Sequence, residues 1–95
     1  MSRRAIKDQS WFFYIVRCHD DSLYSGITIN LEDRLREHNK GTGAKYTSIR
    51  RPVTLVYCER YDNASKARKR EEQIKGWSKI KKERLIGGFP RLRSE

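Results

Sequence analysis

Eight consecutive residues, Trp11 to Cys18 (WFFYIVRC), leave this chain few ways to fold. Apart from Arg17 the run is apolar on both alternating faces, so a strand built from it has two sides to bury. That reads as the central strand of a small sheet. His19-Asp20-Asp21-Ser22 has the composition of a turn, and Leu23 to Ile27 returns as the second strand of a hairpin. Val53 to Tyr61 supplies a third strand, with Thr54, Val56, Cys58 and Arg60 expected on one face and Leu55, Tyr57, Glu59 and Tyr61 on the other.

Helices fill the remainder. Thr28 or Asn30 can cap a helix whose first turn carries Glu32 and Asp33 and which stops around Asn39 to Gly41. Lys40 to Pro52 (KGTGAKYTSIRRP) reads as a basic, glycine-containing loop. Asp62, Asn63 and Ser65 offer caps for a second helix running to about Trp77. Ser78 caps a short last one, Lys79 to Ile86, ended by Gly87-Gly88. The expected class is α+β, a three-stranded antiparallel sheet flanked by helices in the order β-β-α-β-α-α. Ninety-five residues suffice for one domain, placed at 11–87, between a basic tail at 1–10 and a second tail at 88–95.

Charge narrows the partners. Lys and Arg number 22 against 12 Asp and Glu, a net +10. The excess is concentrated: residues 34–51 hold six basic side chains and one acid, and residues 63–86 hold nine and three. Two basic segments on one small domain imply a polyanion, most often nucleic acid. The basic segments lack a broad apolar face for a membrane surface, no apolar run reaches the length of a membrane span, and the N-terminus shows no secretory pattern. Cys18 and Cys58, forty residues apart, have no metal-type spacing and are expected as small core residues of a cytoplasmic protein. A monomer is expected.

Two helices carry polar groups where aliphatic ones belong. Leu31, Arg34, Leu35 and His38 share one helical stripe, just after a strand that ends in Tyr24-Ser25-Gly26. Ala64, Ala67, Glu71 and Ile74 share another, which places Glu71 toward the core and Glu72 about 100° away from it. A core-facing carboxylate is costly unless paired or bound to metal. The alternatives at this point are a site or a surface ion pair from Glu71 to Lys75. Tyr14 and Tyr24 could be mere cross-strand packing.

Taken in order, Tyr14-Ile15-Val16, Tyr24-Ser25-Gly26, Arg34, His38 and a helix-borne Glu71 resemble the GIY-YIG nuclease domain over Trp11 to Ile86. The segment His38 to Thr47 (HNKGTGAKYT) strengthens the likeness to small stand-alone bacterial members. The resemblance implies that one of the two tyrosines deprotonates the attacking water. It implies Arg34 as the catalytic arginine, His38 as an active-site residue, Gly26 as the motif glycine, and Glu71 as the one carboxylate on a divalent metal, Mg²⁺ or Mn²⁺. Nearby cations would lower the pKa of the tyrosine base. Three departures stand out: the first motif lacks its name-giving glycine, Ser25 replaces an aliphatic residue, and Ile27 stands where some members place a lysine. Lys40, Lys45, Tyr46, Arg50 and Arg51 are the candidate nucleic-acid contacts.

The expected activity is hydrolysis of DNA phosphodiester bonds leaving 5′-phosphate and 3′-hydroxyl ends, in a repair or recombination setting. A chain this small would read DNA shape weakly or borrow a protein partner for specificity. Competing expectations are a non-catalytic nucleic-acid-binding module and an RNA- or ribosome-associated protein.

Overall fold

The computed structural model describes residues 9–88. The tails expected at 1–10 and 88–95 therefore lie almost wholly outside the described residues. Three strands form one antiparallel sheet: β1 (Trp11–Arg17), β2 (Leu23–Thr28) and β3 (Thr54–Tyr61), in the spatial order β2-β1-β3. The apolar run is thus the central strand, paired with Gly26 and Cys58 at Tyr14 and with Ser25 and Tyr57 at Ile15. Alternation sends its side chains to two cores. Phe13 and Ile15 join Tyr57 and Ile74 on one face, and Tyr14, Val16 and Cys18 join Val53 on the other. All of these are buried.

Among the described residues four helices pack on the sheet: α1 (Leu31–Lys40), α2 (Lys45–Ser48), α3 (Ala64–Lys75) and α4 (Lys79–Gly87). Leu31 and Leu35 bring α1 onto the Tyr14 face. Ile74 of α3, with Trp77 and with Leu85 and Ile86 of α4, covers the Phe13 face. Local chemistry sets the helix ends. Asn30, Asn63 and Ser78 each accept a hydrogen bond from a backbone N–H three residues on, at 3.0, 2.9 and 3.2 Å. Gly41, at φ 93°, closes α1 with its N–H turned back on Glu37 and His38. The Arg17 guanidinium donates to both oxygens of Glu83 at 2.7 and 2.8 Å, fastening α4 to the central strand.

Three expectations are corrected. The basic loop contains one helical turn, α2, so the order is β-β-α-α-β-α-α; Ser48 N–H closes it on the carbonyl of Ala44 at 3.0 Å. The second helix stops at Lys75 rather than Trp77, because Gly76 ends it and Ser78 starts the next. Trp77 is half-buried at the core margin, with the Lys81 ammonium 4.3 Å from its ring centre. Strict alternation also fails along β3. Ile15 pairs with Tyr57 but Val16 pairs with Leu55, so Val56 is an extra residue in a β-bulge. The bulge shifts the parity by one: Leu55 and Cys58 pack on the Tyr14 face, and Val56 and Tyr57 on the Phe13 face.

Candidate active site

Four of the sequence-predicted residues meet on the Tyr14 face. Tyr14 comes from the central strand, Tyr24 from the neighbouring edge strand, and Arg34 and His38 from α1 one turn apart. The Tyr14 hydroxyl lies 2.9 Å from His38 Nε2 and accepts a hydrogen bond from Arg34 Nε at 3.3 Å. The Tyr24 ring stands edge-on to the His38 ring, 5.4 Å between centres. Arg34 is anchored further by Glu37 at 2.8 Å and by the carbonyl of Gly43 at 3.0 Å. A guanidinium held at three points keeps its orientation, which a flexible lysine would not.

Gly26 has a clear task here. A Cβ at this position would stand 2.5 Å from the Tyr14 hydroxyl and 2.8 Å from its ring carbon. Tyr14 is 1% exposed and pinned by two partners, so it cannot swing aside. Gly26→Ala is expected to cost about 1–3 kcal/mol by overpacking and to break the Tyr14–His38 contact. Urea unfolding and the Tyr14 hydroxyl environment in NMR spectra check both parts.

Glu71 reaches this group through the electric field rather than by a hydrogen bond. It sits on the α3 stripe as expected, between fully buried Ala67 and Ile74, with its own side chain 14% exposed and 3.3 Å from Lys75. Its charge pushes the pKa of Tyr14 upward. Glu72 is exposed. The i,i+4 pair is therefore real, but it does not take the carboxylate to the surface.

Opposing influences act on the Tyr14 phenol. Burial holds the Tyr14 phenol above the ordinary tyrosine value; the Arg34 hydrogen bond and charge pull the other way, and Tyr24 and Glu71 add to the rise. Arg34 lowers the value as expected, and desolvation outweighs it. His38 is displaced downward by burial and by the Arg34 cation, against a smaller opposing pull from Glu37. It is a neutral imidazole at neutral pH.

The candidate binding loop is partly turned inward. Tyr46, though exposed, stacks on Tyr24 at 5.8 Å, and the Arg50 guanidinium lies 3.9 Å from the centre of the Tyr46 ring. Arg50 also holds Asp20 and the carbonyl of Tyr46, while Arg51 holds the carbonyls of Ser48 and Asn39. Both arginines brace the loop. Lys40 and Lys45 are exposed and make no ion pair among the described residues. Sequence reasoning passed over Thr47 as a site residue. It is fully buried and its hydroxyl is 2.7 Å from His38 Nδ1. Gly43 was passed over too, although a Cβ there would meet Nδ1 at 2.6 Å. The only signal for either was that both fall within the His38–Thr47 segment.

Among the described residues no three His, Cys, Asp or Glu side chains cluster as a metal cage. A lone, mostly buried carboxylate suits a hard cation that keeps most of its waters and takes further oxygens from a phosphate.

A tyrosine hydrogen-bonded to an α1 histidine and arginine, above an invading glycine-sized gap in the next strand, is an ordered constellation rather than a packing motif. The sequence profile of the GIY-YIG catalytic domain matches residues 10–84. The chain belongs to the GIY-YIG family. A UPF0213 protein of Staphylococcus aureus is 53% identical over 77 residues, which span 81% of this chain and 94% of that one. A UPF0213 protein of Staphylococcus saprophyticus is 55% identical over 75 residues, covering 79% and 92%. The solution NMR structure of E. faecalis protein EF2693 shares 39% identity over 90% of this chain and 91% of that one, with a TM-score of 0.58. The UPF0213 protein BH0048 from Bacillus halodurans shares 36% over 82% and 83%, at 0.54. This GIY-YIG domain is therefore similar to small proteins of its own size, and membership implies the nuclease class, a nucleic-acid substrate and divalent-metal chemistry. Among the described residues no helix is long and apolar enough to cross a membrane.

Proposed function

We propose that this GIY-YIG domain is a metal-dependent endonuclease that hydrolyses DNA phosphodiester bonds, working in the cytoplasm in repair or recombination. The observation that carries the reading is the Arg34–Tyr14–His38 chain of hydrogen bonds, whose tyrosine also feels the charge of Glu71. Hydrolysis at phosphorus needs a base for the water, a positive group for the developing charge and support for the leaving oxygen.

Of the two tyrosines we assign Tyr14 as acceptor of the water proton, a reading supported by its hydrogen bonds to Arg34 and His38. Arg34 presents a fixed guanidinium to phosphoryl oxygens. Glu71 would hold the divalent ion, Mg²⁺ or Mn²⁺, which would supply charge stabilisation at the leaving 3′-oxygen. Because the bond from phosphorus to the 3′-oxygen is the one that breaks, the ends are a 5′-phosphate and a 3′-hydroxyl. Specificity beyond shape would come from a protein partner.

The test is cleavage of single strands, duplexes, flaps and branched junctions with Mg²⁺ and with Mn²⁺. Metal-dependent cutting of at least one is expected; no cutting of any by pure protein sinks the enzyme reading and favours a binding module. Binding itself should weaken steeply with salt, because neutralising phosphates releases counterions. Replacing Lys40 and Lys45 with Gln should weaken binding alike across sequences and reduce the slope of log affinity against log salt by about 2. Fluorescence anisotropy across a salt series measures both.

A further inference from the structure

Four hydrogen bonds run in series through the site. Arg34 Nε to Tyr14 Oη is 3.3 Å, Tyr14 Oη to His38 Nε2 2.9 Å, His38 Nδ1 to Thr47 Oγ1 2.7 Å, and Thr47 Oγ1 to the Ala44 carbonyl 3.2 Å. Each end of the series has a single role. A guanidinium can only donate and a backbone carbonyl can only accept. Each hydroxyl between them has one proton, and a neutral imidazole has one.

Only one arrangement satisfies every member. Arg34 donates to the Tyr14 oxygen, so the phenol proton points to His38 Nε2. The imidazole proton then sits on Nδ1 and goes to Thr47, whose own proton goes to Ala44. In the other tautomer, Arg34 and an Nε2 proton would both face the Tyr14 oxygen. The phenol proton would then lack an acceptor in a residue only 1% exposed. With His38 and Thr47 fully buried, water offers no cheap substitute.

We propose that Thr47 is a positioning residue of this site: by accepting the Nδ1 proton it holds His38 in the tautomer whose Nε2 receives the Tyr14 proton. The catalytic consequence rests on the nuclease reading; the tautomer does not. As the attacking water's O–H bond breaks, its proton bonds to Tyr14 Oη, and the original Tyr14 proton passes to His38 Nε2. The water oxygen bonds to phosphorus while the bond from phosphorus to the 3′-oxygen breaks. Tyr14 ends as neutral phenol and His38 as imidazolium. The 3′-oxygen takes a proton from solvent; after product leaves, His38 Nε2 returns its proton to Tyr14 Oη as Tyr14 releases one to the water that replaces product. Free phenolate never accumulates, so a phenol raised by burial can still serve.

The experiment is long-range proton–nitrogen correlation of the histidine rings in the ¹⁵N-labelled full chain, where only His19 and His38 appear. Wild-type His38 is expected with Nδ1 protonated and Nε2 bare. Thr47→Val should move it toward the Nε2–H tautomer, and Thr47→Ser should restore the wild-type pattern. In cleavage assays Thr47→Val should lower kcat roughly 10- to 100-fold with KM little changed, and Thr47→Ser should stay within about threefold of wild type. An Nε2–H tautomer in wild type, or an unchanged tautomer and kcat in Thr47→Val, overturns the proposal. Should Thr47→Val fail to fold, the wild-type and Thr47→Ser spectra decide alone. A wild-type protein that cuts nothing, yet shows the Nδ1–H tautomer and its shift in Thr47→Val, upholds the role of Thr47 in holding His38 and overturns the nuclease reading instead.

Discussion

Glu71→Gln is expected to reduce metal-dependent cleavage by about 10³-fold or more, while metal-free binding to nucleic acid stays equal or tightens slightly. A metal contribution of several kcal/mol, at about 1.4 kcal/mol per factor of ten, sets that scale. Glutamine keeps the shape of the side chain and its place between Ala67 and Ile74, so α3 should pack as before. What is lost besides the charge is an ion pair with Lys75, whose own side chain is more than half exposed and whose contribution is small. Glu72→Gln, one residue along on the exposed face of the same helix, should keep nearly full activity. Single-turnover cleavage with Mg²⁺ and anisotropy in EDTA separate the two quantities. An equal loss from both variants would assign the effect to general destabilisation and remove Glu71 from the site.

Tyr14→Phe is expected to cost about 10²- to 10⁴-fold in cleavage, the range for loss of a general base. The same change strips His38 Nε2 and Arg34 Nε of a shared partner. A buried acceptor left alone should lower stability by about 1–3 kcal/mol, which urea unfolding would register. Tyr24→Phe makes the instructive contrast. Its ring contacts with His38 and Tyr46 need no hydroxyl, and among the described residues that hydroxyl makes no hydrogen bond. Less than about a tenfold loss is expected there. If Tyr24→Phe proved the more damaging, the base would be Tyr24 and the Tyr14–His38 chain structural.

The parts of this domain that were legible in the sequence are those in which neighbours along the chain determine the outcome. Trp11 to Arg17 could only be a central strand, because both of its alternating faces are apolar. Asn30, Asn63 and Ser78 mark helix starts because a side-chain oxygen reaches an N–H three residues away whatever the rest of the chain does. Helical spacing alone put Glu71 inward and Glu72 outward. The ordered tyrosines, Arg34, His38 and Glu71 were enough to point to the family.

Tertiary structure decided whatever depends on atoms meeting across the chain. The bulge at Val56 reversed half of β3, since register is negotiated with β1 and not within the strand. Arg50 and Arg51, basic in any sequence count, became braces because carbonyls of their own loop came within reach. The raised phenol of Tyr14 follows from burial, which no count of nearby cations measures. Which ring nitrogen of His38 carries the proton is set by Arg34 at one end and Ala44 at the other. Those two ends are brought to one line of hydrogen bonds only when α1, α2 and the central strand are packed together.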